Sequence, residues 1–337
     1  MKQMLSIMEN LLSQSEALVL VTVTASSGAT PRGAGARMLV GKNGRICGTI
    51  GGGAVEYRSE QIALQVLEKK ISGQQDFSLT REDVQNLGMI CGGDVNVFFH
   101  YIPEGDPQTL SLVRQALTLF KDGKAFWLLS NITAGGALSL YVKERGTIGP
   151  DIPDWLLYNL PRQPKLLQQN EEKWCVEQLN GSGRVYIFGC GHVSQELEPV
   201  LTHVGFRCVV MDDREEFAKQ ELFPSAEEVK LIDFSRIADF VTIGSDDYVC
   251  VMTRGHAFDT VIQAQVLKQK PAYVGVIGSK KKAAGVRKIL KEEYGLSEEE
   301  LDIVTTPIGL NIDAETPAEI AISIAGQMIQ VRAQRRI

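Results

Sequence analysis

Apolar positions follow two rhythms along this chain. Beyond residue 183 they form short unbroken runs, at 185–188 (VYIF), 208–211 (CVVM), 229–232, 248–252 (YVCVM) and 273–277 (YVGVI). Between them lie segments with helical spacing, including 258–268 and 283–294. Uninterrupted apolar strands alternating with helices predict a parallel sheet covered on both faces. Ahead of residue 183 the runs are more mixed. A helix over 1–12 and a buried strand over 17–24 (ALVLVTVT) lead to a Gly/Ser/Pro loop at 25–35. Two short strands, 37–40 and 45–50, flank Lys42-Asn43-Gly44, where Asn-Gly predicts a hairpin. A helix over 54–73, a strand at 76–79, a stretch over 87–101 in which a turn holding 91–93 feeds a strand, a helix over 110–121, strands at 125–129 and 137–142, and a last strand at 174–179 complete this part.

The predicted fold is therefore α/β: a C-terminal Rossmann-like, doubly wound parallel sheet over 183–337, preceded by an α+β N-terminal domain over 1–182. Pro150, Pro153, Pro161 and Pro164 suggest a linker near 144–170. Thr316-Pro317-Ala318-Glu319 predicts a capping box opening the last helix. Pro199 is expected to kink the helix that follows residue 191.

With 337 residues, 44% hydrophobic and 23% charged, either part can bury a core of its own. A net charge of −6 argues against nucleic acid or an anionic membrane as the main partner. No apolar run approaches the ~18 residues of a membrane span, and 1–12 does not read as a secretion signal. The six cysteines form no CxxC pair, so reduced thiols and a cytoplasmic location are expected. No Cys/His spacing suits zinc.

Chemistry concentrates where predicted strands end. The run 185–188 leads into Gly189-Cys190-Gly191-His192-Val193-Ser194, then a helix, then a strand ending on Asp212. Strand, glycine turn, helix, strand and acid form the layout of a mononucleotide-binding βαβ unit. Helix-terminal N–H groups seat a phosphate there, and the acid, about 20 residues on, takes a ribose hydroxyl. The third glycine of that fingerprint is replaced by Ser194. Arg254 and His256 follow the strand at 248–252, and Ser279 and Lys280 follow that at 273–277. These loops are expected to share the carboxyl edge of the sheet. In the first domain, Gly51, Gly52 and Gly53 open a helix, as an anion seat or to let two backbones approach. Arg32 lies on the Gly/Pro loop, facing a phosphate or carboxylate or simply solvated. Cys91, beside Gly92 and Gly93, suits a thiolate nucleophile, a sulfur carrier or a soft-metal ligand, or else a small buried turn residue.

Several of these stretches are long and unusual: GATPRGAGARMLV (28–40), GTIGGGAVE (48–56), ICGGDVNV (90–97), VYIFGCGHVS (185–194), VMTRGHAFD (251–259) and TPIGLNIDAETPAEIAISI (306–324). On these the chain resembles the XdhC/CoxI family, accessory proteins for molybdenum hydroxylases. The resemblance covers nearly the whole length, thinning between about 120 and 175, and Ala54 places it nearer the XdhC-like branch, since many CoxI-like relatives carry cysteine after the glycines. It implies a chaperone more than a turnover enzyme. The cargo would be the molybdenum cofactor, a pterin with a dithiolene and a terminal phosphate. A cysteine desulfurase would supply the sulfido ligand, a xanthine-dehydrogenase-type apoenzyme would receive the cofactor, and a homodimer is possible. Cys91 would then face the metal, and the amides after Gly189 would seat the phosphate. Two other readings are an NAD(P)-dependent oxidoreductase and a scaffold bridging desulfurase and hydroxylase without cofactor.

Overall fold

The computed structural model describes residues 1–28, 32–79, 93–181, 183–254 and 258–335. Cys91 and His256 lie outside the described residues. The chain divides into two compact units, Met1–Gly181 and Ser182–Ile337.

The first unit holds two antiparallel sheets. Helix α1 (Lys2–Ser13) leads to β1 (Leu18–Gly28), β2 (Arg37–Gly41), β3 (Gly44–Thr49), helix α2 (Gly53–Lys69), β4 (Gly73–Leu79) and β5 (Gly93–Ile102). These strands pair in the order β3-β2-β1-β5-β4. The hairpin expected at Asn43-Gly44 joins β2 to β3, with Gly41 opposite Gly44 and Gly44 at a φ of 98° that favours glycine. Helix α3 (Pro107–Lys121) then starts from Asp106, whose carboxylate accepts the Thr109 amide, with proline at the first helical position.

The second sheet has the order β8-β7-β6-β10-β9, built from β6 (Phe126–Asn131), β7 (Ala137–Val142), β8 (Gly146–Ile148), β9 (Lys165–Gln169) and β10 (Glu172–Leu179). A one-turn helix, α4 (Asp154–Leu157), sits between β8 and β9. The stretch 144–170, expected to be a linker, is therefore part of this unit. Ile152 and Leu156 are buried with Trp127, Trp174 and Val176, and the Trp127 indole donates to the Pro161 carbonyl at 2.8 Å. The prolines punctuate short packed elements. They do not mark a break between domains.

The second unit is a six-stranded sheet in the order β13-β12-β11-β14-β15-β16, with every pairing parallel. Its strands are β11 (Arg184–Phe188), β12 (Arg207–Asp212), β13 (Glu228–Leu231), β14 (Tyr248–Val251), β15 (Tyr273–Val276) and β16 (Val304–Thr305). Its helices are α5 (His192–His203), α6 (Asp259–Leu267), α7 (Lys280–Glu292), α8 (Glu298–Asp302) and α9 (Pro317–Gln334). Alternate residues of each strand serve opposite faces. Tyr186, Phe188, Val209, Met211, Val249 and Val251 pack with Ile262, Val266 and Leu290 of α6 and α7. Val185, Ile187, Cys208, Val210 and Cys250 pack with Leu197 and Leu201 of α5 and Ile324 and Met328 of α9. That two-sided burial is why the strands read as unbroken apolar runs, each fully buried large side chain contributing about 1.5–3 kcal/mol. The expected capping box on Thr316 and Glu319 opens α9. Pro199 sits inside α5 without ending it. The two-residue β16 has no apolar run to announce it.

Candidate functional site

The glycine turn joins β11 to α5. Gly189 has a φ of 110°, and a Cβ there would lie 2.4 Å from the Met252 carbonyl oxygen. Its amide donates to the Met211 carbonyl at 2.7 Å, so the turn is wedged between the ends of β12 and β14. Glycine at 189 is thus demanded by packing alone. Gly191 differs. It is the N-cap of α5 with φ −72° and ψ −180°, accessible to any residue, and a Cβ there would meet nothing within 4 Å. No side chain caps α5, and its first turn carries no acid. The helix therefore presents uncapped N-terminal amides beside open space, an arrangement that can receive a phosphate or carboxylate. His192, the first helical residue, is exposed.

Ser194 is fully buried and its hydroxyl donates to the Gly189 carbonyl at 2.5 Å. It replaces the third glycine of a dinucleotide fingerprint with a hydrogen bond that ties helix to turn. The Cys190 thiol is buried in the core, and burial, with Asp212 nearby, pushes its pKa up to about 12. It is a packing residue, protonated at neutral pH.

Asp212 lies where the sequence places it, at the end of β12, but its carboxylate is already engaged. It is 1% exposed. One oxygen accepts the Cys190 amide at 2.7 Å and Arg214 Nη2 at 3.1 Å. The other accepts the Arg214 amide at 3.1 Å and Nε at 2.9 Å. Arg214 in turn lies over the Phe217 ring, 4.0 Å from its centroid. Burial alone would raise the carboxyl pKa. The Arg214 and Cys190 hydrogen bonds outweigh it and hold Asp212 below the ordinary aspartate range. Asp212 thus fixes the glycine turn from beneath, and no acceptor site is left for a ribose hydroxyl without loss of one of these bonds.

Because all strands of this sheet run parallel, the loops after β11, β12, β14 and β15 leave the same edge. Beyond β14, Thr253 donates to the buried Asp259 carboxylate at 2.6 Å, and Arg254 is exposed beside them. Beyond β15, Ser279 caps α7 by accepting the Lys282 amide at 3.4 Å, and Lys280 is the exposed first residue of that helix. A cavity of about 480 Å³ opens here, lined among others by Asp259, Gln263, Gly278 and Lys282. The structure thus brings Gly189, Gly191, His192, Arg254, Ser279 and Lys280 to one edge. Arg214, Thr253 and Asp259 complete its polar framework. Arg214 lies two residues after the acid in sequence, but the Thr253–Asp259 pair carries no pattern that distinguishes it from an ordinary helix start.

In the first unit, the turn at Gly51–Gly53 already holds an anion. Glu56, inside the first turn of α2, accepts the amides of Ile50 at 3.0 Å and Gly52 at 3.2 Å, with Thr49 and Arg45 as further donors. Gly52 and Gly53 both take positive φ, and a Cβ on Gly52 would meet nothing. Removing the carboxylate in Glu56→Ala should cost about 1–3 kcal/mol, because it strands both amides and Arg45. Urea unfolding of this variant against the wild type measures it.

Strand register brings the described residues that flank the Arg32 loop and the Gly51–Gly53 turn to one sheet end. Gly28 pairs with Gly93, Leu79 pairs with Gly93, and Arg37 pairs with Thr49. The described strand ends Gly28, Thr49, Leu79 and Gly93 lie there, and Arg32 is exposed. A polar ladder not foreseen in the sequence reinforces that end. Asp94 accepts from Ser78 at 2.6 Å and Ser27 at 3.5 Å, and Asn96 bridges Thr24 and Asp76. Among the described residues no group of three or more His, Cys, Asp or Glu is placed to hold a metal ion. Nor is any described helix long and apolar enough to cross a membrane.

Comparison with known proteins agrees with this architecture. Residues 185–328 match the XdhC Rossmann domain, and residues 11–78 match the XdhC and CoxI family. A protein of Bacillus subtilis, named as a probable subunit of xanthine dehydrogenase, is 27% identical, covering 97% of each chain. The molybdenum cofactor insertion chaperone PaoD of Escherichia coli is 22% identical over 95% of this chain and 85% of its own. A crystal structure named as a xanthine dehydrogenase from Bacillus halodurans superposes with a TM-score of 0.79 at 26% identity, covering 98% of this chain and 96% of that one. Matched through both its glycine-turn unit and its N-terminal segment, the chain belongs to the XdhC and CoxI family.

Proposed function

We propose that this chain is an accessory protein in molybdenum hydroxylase maturation, carrying the molybdenum cofactor as cargo to a xanthine-dehydrogenase-type apoenzyme. One observation carries the reading. The N-terminus of α5 is uncapped and faces open space at Gly191, while Gly189, Cys190 and Ser194 of the turn are held by the protein itself. Such a site suits a terminal phosphate. The engaged Asp212 counts against NAD, which would ask that carboxylate for a ribose contact. The chaperone relative favours the same cargo.

In this reading the amides that open α5 after Gly191, in the turn that Gly189 begins, hold the phosphate, with His192, Arg254, His256, Ser279 and Lys280 supplying charge and hydrogen bonds at the same edge. Cys91 offers a thiolate to the metal, with Arg32, Gly52 and Gly53 at the end of the N-terminal sheet from which its segment departs. A cysteine desulfurase supplies the sulfur, the protein works in the cytoplasm, and it acts as a homodimer. Anaerobic incubation of the full chain with released cofactor, followed by gel filtration and assay of molybdenum and pterin in the protein peak, tests the proposal. Stoichiometric co-elution is expected, and Cys91→Ser should reduce the retained molybdenum more than the fold stability. A protein peak free of both molybdenum and pterin refutes it.

A further inference from the structure

A cavity in the first unit plays no part in the site above. It measures about 750 Å³ and lies between the start of α3, the turn leading into β7 and the end of β8. That volume falls in the range of small-molecule sites. Its floor includes the His100 imidazole, from a residue of β5 that is only 8% exposed. Among the described residues, no partner reaches His100 Nδ1. The ring is held firmly. Phe98 stacks beside it at 6.3 Å, and a Cβ on Gly136 would come within 2.6 Å of its carbons, so glycine at 136 leaves the ring its place. A buried polar atom without a partner is uncommon in a finished interior.

The remaining walls restrict what that group can be. Asp106, the N-cap of α3, contributes a carboxylate, while Gln108, Ser111 and Gln115 contribute amides and a hydroxyl. Among the described residues, no lysine or arginine lines the cavity. Burial drives the His100 pKa down to about 4, with Asp106 opposing only in part, so the imidazole is neutral at physiological pH. An anion would find the helix N-terminus already capped by a carboxylate and no cation to answer it. A ligand that offers N–H donors to Asp106 and a ring nitrogen or N–H to the imidazole satisfies both. Pro103, Pro107 and Pro150 add flat apolar walls.

We infer that this cavity is a second ligand site of the protein, taking an uncharged nitrogen heterocycle of nucleobase size. The test is titration of the full chain, at neutral pH, with cytosine and with adenine, read by calorimetry and by the ¹⁵N signals of the imidazoles, of which the chain has four. Inorganic phosphate is the control. Saturable binding of a base with movement of the His100 nitrogen signals is expected. Asp106→Asn keeps a good N-cap and so preserves α3, and it should weaken that binding about tenfold or more. His100→Phe should abolish it. Binding of phosphate in preference to the bases, binding that ignores Asp106→Asn, or no binding of either base up to millimolar concentration overturns the inference. The wild-type titration and Asp106→Asn decide it even if His100→Phe does not fold.

Discussion

Gly191→Ala is expected to leave the fold standing and to empty it of cargo. The backbone there, φ −72° and ψ −180°, suits alanine, and the added methyl meets nothing within 4 Å. Two small effects act on stability. Replacing glycine restricts the unfolded chain and gains about 0.4–1 kcal/mol. Alanine is a poorer N-cap than glycine, and this loses a similar amount. The net change should stay within about 1 kcal/mol, a shift of a few degrees in Tm. The methyl nevertheless occupies the space through which a phosphate would approach the amides of α5. Molybdenum and pterin co-eluting with the protein should therefore fall about tenfold or more, by the same anaerobic gel-filtration assay. Unchanged retention in a folded Gly191→Ala protein would remove the phosphate from this turn. Gly189 cannot serve for the same experiment, since a Cβ there strikes the Met252 carbonyl and would disturb the fold itself.

The second large effect is expected at Asp212. Asp212→Ala leaves the Cys190 amide buried without an acceptor and removes the carboxylate from the Arg214 guanidinium, whose side chain is only 26% exposed. Breaking a buried, hydrogen-bonded pair from one side costs about 3 kcal/mol or more. The loss should depend on pH with a defined sign. The folded-state pKa of Asp212 is lowered. Its stabilising contribution is therefore complete above the unfolded aspartate value, near 3.9, and disappears as pH falls through the folded value. Urea unfolding at neutral pH should show the full difference between wild type and variant, and unfolding near pH 3 a smaller one. A difference that stays constant or grows toward acid would mean that Arg214 and Cys190 are not what Asp212 stabilises.

Much of this architecture is readable before any coordinates, for a physical reason. The parallel sheet announces itself because strands buried on both faces must be apolar throughout, and the runs at 185–188, 208–211, 248–252 and 273–277 each become a strand. Thr316 and Glu319 announce α9 because a capping box needs those side chains at that spacing. The glycine turn is likewise legible. What the sequence hides is which partner a polar group finds. Asp212 looks like a ribose ligand because an acid at that distance from a glycine turn often is one. Only the geometry shows Arg214, two residues on, folding back to take the same oxygens. Gly51–Gly53 looks like a vacant anion seat until Glu56 is seen filling it. His100 carried no signal at all, since its isolation depends on Gly136 and on α3, which are distant in the chain.

The stretch 144–170 has one more consequence, for anyone wishing to divide the molecule. Its prolines invite a cut. A cut there would pass through a packed layer, parting Ile152 and Leu156 from Trp127, Trp174 and Val176, and stripping β9 and β10 from the sheet they complete. The boundary between the two compact units falls after Gly181. Packing within each unit, here that of Ile152 and Leu156, decides what belongs together, and the density of helix-breaking residues is a poor guide to it.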